Sequence, residues 1–583
     1  MRSSLLRVHG AKRILYASVV AAASLTMTIW YATARGQDFN FDQRNYHIGI
    51  PFLLAHSTFW ESVGPAGLQS YLNPYVLEIQ FFAIRHLSGI GSGVTLAVVQ
   101  SLAFMIAGLI SADIAKLAGG SQAAALGLLG FALSLLAPVP LSEAGTTFIE
   151  LITAVPVLAA YALLLVRGRW FSSLASAALA GALLGAATAL KLTNGVFALG
   201  VVGFALAGPD GLRERIVWLL ACGVVAILAF VVVGGPWHLA LWQRFGNPLF
   251  PFFNDIFPSP DYPGIWDGVK WISRPSALHG DERFPPHSFL AIWRYPLYWL
   301  LGGSPSPGLG SPSSELSFRD ARWIIAVLGI TFFLAALPIF CSWARARLKE
   351  PATGLLFAFT IGYLAWLFEF GIQRYAVPLD ILCGAVLLTL TIGLPAKWLR
   401  LPILLAIALA SWQTMVVPNW GRLPWLPYWQ SINPQPLHFG EPSIVFLTFK
   451  PSLFIAASLP PDTRYVGIDG EFDLRAGNNT ALTRQLKREL ASTKHFRLKE
   501  ADPGTVPAAS AEILASYGLF VTDRCRPLHV ADEAFRICDV ATQALTPAKG
   551  AAFDMKIHPH MLRHACGYWP MQGMTRGKFR ISF

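Results

Sequence analysis

Just beyond the first apolar run stands Asp38-Phe39-Asn40-Phe41-Asp42-Gln43-Arg44-Asn45-Tyr46-His47. It gathers two carboxylates, a guanidinium, amides, a phenol and an imidazole. Such groups are costly to desolvate at a membrane surface, so their clustering marks a site rather than a simple anchor. A carboxylate here can take the proton of a hydroxyl as that hydroxyl attacks, which is general-base chemistry. Asp42 lies one helical turn from Tyr46 and close to His47, and is the preferred base. Asp38 suits catalysis, a supporting role, or an N-cap on the helix that follows. His47 suits assistance to proton transfer or hydrogen-bonding support.

A second set of candidates consists of cations on the face where positive charge is not expected. Lys191 precedes Thr193 and Asn194, Arg319 and Arg322 bracket Asp320, and Arg374 sits in Gln373-Arg374-Tyr375. Arg44 and Arg85 join them in the first loop. Each alone can snorkel to lipid phosphates or pair with a nearby acid. Together they suit a bound phosphate, which Arg grips bidentately and Lys meets as a point charge. Glu143 and Glu150 flank the start of another apolar run. Glu150, in Phe148-Ile149-Glu150-Leu151-Ile152, is expected to face the bundle, paired with a cation or a substrate hydroxyl.

The elements that must position these residues are membrane helices. The chain has 583 residues, 54% hydrophobic and only 13% charged, against about a quarter charged in soluble proteins. Mean hydropathy is +0.49. Apolar runs too long for core helices make lipid the main solvent. Spans are expected near residues 14–31, 92–115, 121–141, 148–166, 171–190, 192–207, 216–234, 322–342, 353–369, 375–394 and 401–417. Lys116 and the short loops holding Arg167/Arg169, Arg213/Arg215, Arg345/Arg347/Lys349 and Lys397/Arg400 then share one side. That places the N-terminus in the cytoplasm and the C-terminus outside. Ala32-Thr33-Ala34 resembles a signal-peptidase site, but the run is long and a retained first helix is expected.

A transmembrane module over residues 1–418 is therefore expected, with outer loops near 35–91 and 236–321. The pieces Ile48–Ala55 and Tyr75–Leu87 read as helices lying in the interface. Residues 419–583 read as a small α/β extracytoplasmic domain, from the alternating runs Ser443–Phe449 and Arg464–Ile468 and the helical stretch Ala481–Leu490. Cys222, Cys341 and Cys383 act as small hydrophobes. Cys525 and Cys538 can pair in an oxidising compartment, leaving Cys566 over. Gly181 and Gly185 form a helix-packing face. The net charge of +12 does not imply nucleic acid, since no base-reading platform or zinc-finger spacing accompanies it. Walker, dinucleotide and Gly-x-Ser-x-Gly motifs are missing. No cofactor is implied, and no His-x-x-x-His or Cys-x-x-Cys arrangement argues for a metal, although assistance by a divalent ion is left open.

This layout resembles the GT-C superfamily of polytopic glycosyltransferases, in particular bacterial members. The resemblance is carried by residues 38–47, Gln69-Ser70-Tyr71-Leu72-Asn73-Pro74, Gly246-Asn247-Pro248-Leu249-Phe250-Pro251, Phe318-Arg319-Asp320-Ala321-Arg322 and Gln373-Arg374-Tyr375. It implies a polyprenyl-phosphate-sugar donor, with its tail among the membrane lipids and its phosphate at the outer surface of the inner membrane. It also implies hexosyl or pentosyl transfer to a glycan, lipid or protein acceptor in the cell envelope. Asp42 would be the base, with Asp38 or His47 assisting. Arg44, Asn45, Tyr46, Glu150, Lys191, Arg319, Arg322 and Arg374 would line the substrate site. The rival readings are a transporter or flippase of a lipid-linked sugar and a non-catalytic factor in polysaccharide assembly. A transporter commonly shows two repeated halves, and none is evident.

Overall fold

The computed structural model describes residues 2–167, 171–207, 210–262, 265–266, 271–272, 288–302, 313–339, 346–348, 350–429, 437–469, 471–500, 505–530 and 533–542. Among the described residues, seven helices are long and apolar enough to cross a membrane. They are Lys12–Arg35, Gly89–Ala118, Ser173–Leu190, Leu212–Phe245, Ala321–Ile339, Pro351–Glu369 and Gln373–Ile392. Shorter apolar segments at Ala123–Leu135, Glu150–Leu165, Leu192–Leu206 and Arg400–Thr414 pack among them. All eleven expected spans overlap one of these segments. Arg169, Arg345, Lys349, Cys341 and Cys566 lie outside the described residues.

Two spans depart from expectation. Residues 192–207 do not form one helix but a 3₁₀ turn, Leu192–Asn194, followed by Gly195–Ala198 and Gly200–Leu206. Lys191 is extended, which ends the preceding helix and lets Asn194 Nδ2 donate to the Ala187 carbonyl at 3.2 Å. The segment expected at 216–234 instead runs on through Pro236 to Phe245. Proline removes one helical hydrogen bond without ending a helix that its neighbours hold. Gly246, with φ of +70°, supplies the stop. Gly181 and Gly185 lie against this long helix, where a Cβ would run into the carbonyls of Cys222 and Ala226. Their smallness lets the two backbones touch.

The first outer loop holds helices Gly49–Ala55 and Tyr75–His86. The second keeps apolar Ile79 and Phe82 exposed, as an interfacial helix requires. The first is not an interfacial helix. Its Ile50 and Leu53 are buried and Gly49 packs against Leu453, because the C-terminal region covers it in place of lipid.

That region is a small α/β fold. Strands β3 (Ser443–Leu447), β4 (Arg464–Gly467), β5 (His495–Lys499), β6 (Leu519–Val530) and β7 (Glu533–Thr542) form one sheet in the order β4-β3-β5-β7-β6. A separate pair, β1 (Ile265–Trp266) and β2 (Trp271–Ile272), lies in the second outer loop. β3 pairs parallel to β4 and β5, whereas β7 is antiparallel to both β5 and β6. Helices Ala481–Ser492 and Ala508–Ser516 complete it. Cys525 stands opposite Cys538 in the β6–β7 ladder and the two form a disulfide. Cys222 and Cys383 are buried free thiols. Val63 of the first outer loop pairs with the edge strand β4, and a single apolar core joins Tyr46, Leu53 and Phe59 to Val445, Tyr465 and Leu498. The C-terminal fold and the first outer loop are thus packed as one piece.

Candidate active site

Five stretches of sequence meet at one buried cluster. The first is the wide π turn Gln43–His47, preceded by Asp42. Turns of this kind re-aim side chains and are frequent at functional sites. The second is the loop Glu143–Ile149, pinned by Gln100, whose side chain donates to the Thr146 carbonyl and accepts from Gly145 N at 3.0 and 2.7 Å. The third is Lys191, at the end of helix Ser173–Leu190. Glu315 supplies the fourth. The fifth is the 3₁₀ turn Gln373–Ala376, entered through Gly371 at φ +62° and tied by Gln373 N to the Ser313 carbonyl at 2.6 Å.

Arg374 is the hub. Its Nη1 lies 2.5 Å from Asp42 Oδ2 and 3.4 Å from Glu150 Oε1, and its Nη2 lies 3.2 Å from Glu315 Oε1. The guanidinium also sits 4.6 Å from the Phe148 ring centre. Lys191 Nζ holds Glu150 Oε1 at 2.7 Å and lies 4.5 Å from the Tyr375 ring centre. Of the cations expected around one site, Lys191 and Arg374 are brought together here. The two cations that converge, Lys191 and Arg374, are each held by carboxylates, because buried charge needs a partner.

Polar atoms are left over. Both oxygens of Glu143, one of Glu150, Gln373 Oε1, Arg374 Nε and His47 Nε2 are buried with no hydrogen-bond partner among the described residues. Buried polar groups are ordinarily satisfied, so these neighbouring atoms are candidates for contact with a ligand. Burial holds the Glu143 carboxyl well above the usual range, Glu150 adds to this, and Arg374 and Lys191 oppose it. Burial lowers His47 to about 4, so its imidazole is neutral at physiological pH.

The remaining candidates fall into two groups. Tyr46 is in the cluster, buried beside His47 at 4.3 Å between ring centres and within electrostatic reach of Asp42, Arg374 and Glu150. Asp38 is one layer behind. It is fully buried and accepts from Thr147 Oγ1 at 2.8 Å and Asn40 Nδ2 at 2.6 Å. Arg44 turns to the C-terminal fold, where Nη1 meets Glu533 Oε1 at 2.5 Å. Asn45 donates to the Ala66 carbonyl and Gln69 Oε1. Arg85 and Arg319 are exposed, the latter paired through its backbone with Val416.

Arg322 is the clearest departure from expectation. It is 0% exposed and bound to Asp320 Oδ2 at 2.5 Å, to the Asp380 carboxylate, and to the Leu133 carbonyl at 2.8 Å. It therefore locks three helices together inside the bundle. Sequence reasoning overlooked Thr147 and Glu315. It also overlooked Arg422, which donates to the carbonyls of Gly36, Ser142 and Ala144 and so ties the start of the C-terminal region to the first outer loop and to the turn before Glu150. Nothing in their types distinguishes them from ordinary loop residues.

No family model matches the chain, and no curated protein matches it. Among solved structures it is similar to ArnT from Cupriavidus metallidurans in the apo state, at 13% identity and a TM-score of 0.47, covering 91% of this chain and 98% of that one. The same protein bound to undecaprenyl phosphate gives 13% identity, a TM-score of 0.45 and coverage of 89% and 97%. The apo oligosaccharyltransferase of Archaeoglobus fulgidus gives 11% identity, a TM-score of 0.44 and coverage of 83% and 69%. At these values the likeness is one of overall layout.

Proposed function

We propose that this chain is a membrane glycosyltransferase that moves a sugar from a polyprenyl-phosphate carrier to an acceptor hydroxyl at the outer face of the membrane. The observation that carries the reading is the Asp42–Arg374–Glu150–Lys191 cluster. It sets a carboxylate suited to base chemistry against two cations suited to a phosphate, in one buried place. In the step we infer, the acceptor oxygen attacks the anomeric carbon and the bond from that carbon to the phosphate oxygen breaks. The electron pair leaves with polyprenyl phosphate, and Asp42 takes the hydroxyl proton. The donor phosphate competes with Asp42 for Arg374, so donor binding both neutralises the cation and frees the base. Charge grows on the leaving phosphate, and fixed cations stabilise that transition state more than the ground state.

The N-terminus is then cytoplasmic, and the C-terminal fold, which covers the first outer loop, is extracytoplasmic. Residues 1–418 form the catalytic module in this reading. The C-terminal fold completes the acceptor side. Purified protein in lipid nanodiscs, given labelled polyprenyl-phosphate hexoses and pentoses with cell-envelope extract as acceptor, should release polyprenyl phosphate as label transfers. Movement of intact lipid-linked sugar across the bilayer without release would instead identify a transporter.

A further inference from the structure

Thr147 Oγ1 lies between two groups, 2.8 Å from Asp38 Oδ2 and 3.0 Å from His47 Nδ1. All three residues are buried, Asp38 and Thr147 completely. A hydroxyl has one proton to donate. Asp38 already accepts from Asn40 Nδ2, from the Thr147 hydroxyl and from Thr147 N, and a carboxylate can only accept. Thr147 must therefore give its proton to Asp38 and accept from His47 Nδ1–H. That fixes one neutral tautomer of His47, with Nε2 bare. Nε2 is buried and has no hydrogen-bond partner among the described residues. The charged groups around this imidazole are Asp42, Glu150, Arg374 and Lys191, and the rings of Tyr46 and Phe148 flank it.

We propose that Thr147 is a positioning residue. By accepting the Nδ1 proton of His47 while donating its own to Asp38, it presents Nε2 as a bare acceptor for a hydroxyl, other than the attacking one, of the ligand that reacts beside Asp42. Two further facts support this assignment. Burial keeps the imidazole neutral down to about pH 4. Asp38, raised to about 6 by burial against the opposing effects of Thr147 and Arg422, is a carboxylate at neutral pH. The hydroxyl's identity rests on the glycosyl-transfer reading, whereas the tautomer does not. Orientation of an imidazole through its second nitrogen is a general device for deciding what the first can do.

The test labels histidines with ¹⁵N in the full chain in nanodiscs at pH 7.5 and assigns His47 by difference against His47→Gln. Wild type and Thr147→Ser should show a neutral ring protonated at Nδ1. Thr147→Val, which keeps the shape but loses the hydroxyl, should shift the proton wholly or partly to Nε2. Should Thr147→Val fail to insert, Thr147→Ala removes the same group. A wild-type ring protonated at Nε2, or a spectrum unchanged without the hydroxyl, overturns the relay. Sugar transfer supplies the second arm. Turnover should fall about tenfold in Thr147→Val, the value of one hydrogen bond, with the acceptor KM raised, and Thr147→Ser should restore it. Full turnover with a switched tautomer would overturn the positioning role. A wild type that transfers no sugar while showing the Nδ1–H ring would defeat the transferase reading and leave the relay standing.

Discussion

Arg374 Nη1 stands 2.5 Å from Asp42 Oδ2 although 332 residues separate them in the chain. The pair joins the segment just beyond the first apolar helix to the turn that leads into helix Val377–Ile392. Arg374 also pairs with Glu150 and Glu315, so it keeps partners when Asp42 is released. The contact therefore both assembles the site and poises it. Any anion that takes Arg374 leaves Asp42 free to accept a proton.

Asp42→Asn keeps the shape of the side chain while removing the base. Transfer should fall by about 10² to 10⁴, the usual share of general-base catalysis, in protein that inserts and unfolds normally. Turnover at the wild-type rate would remove Asp42 from that role.

Arg374→Gln should lower turnover by about a hundredfold. It should also lower the thermal midpoint, because Asp42, Glu150 and Glu315 lose a shared cation. For Lys191→Met and Glu150→Gln, a double-mutant cycle should reveal coupling of about 0.5–3 kcal/mol. Additive effects on stability would contradict the 2.7 Å contact.

Arg322→Met tests the opposite expectation. The Asp320–Arg322–Asp380 triad lies inside the bundle, and breaking it should cost about 3–5 kcal/mol. Turnover per folded molecule should stay near wild type. Lost turnover at an unchanged thermal midpoint would return Arg322 to the active site.

The pH dependence of stability separates Asp38 from His47. Burial raises Asp38 from 3.8 to about 6, so the fold favours its protonated form. The stabilising contribution is full below about pH 4 and is lost as pH rises through about 6. The thermal midpoint of wild type relative to Asp38→Asn should fall over that window and then level off. Burial lowers His47 from 6.5 to about 4, which gives the opposite sign. Relative to His47→Gln, wild type should lose stability as pH falls from about 6.5 through about 4. A flat difference in either comparison would contradict the burial of that group.

The Cys525–Cys538 bridge, 13 residues apart, should contribute about 3 kcal/mol by restricting the unfolded chain. A reductant should lower the unfolding midpoint of wild type and leave that of Cys525→Ser/Cys538→Ser unchanged. Equal sensitivity of both proteins would exclude the bond.

Most of the apolar helices were legible in the sequence because lipid solvates no backbone group, so a lipid-facing span closes its hydrogen bonds within itself; the interruption of 192–207 was not legible. Asp42, His47, Glu150, Lys191 and Arg374 stood out for a related reason, the cost of polar side chains next to hydrocarbon. Their partners were not legible. Arg322 and Arg374 look alike in sequence, each an arginine at the mouth of an apolar run. Only packing commits one to Asp320 and Asp380 and the other to Asp42, Glu150 and Glu315. The covering of helix Gly49–Ala55 by the C-terminal fold was hidden for the same reason, since an apolar face does not declare whether lipid or protein lies over it. Thr147 carried no signal at all, because a threonine acquires a role only when folding brings a carboxylate and an imidazole to either side of its hydroxyl. Local solvation costs are written along the chain, whereas ion pairing and hydrogen-bond direction depend on distances that exist only after the helices have packed.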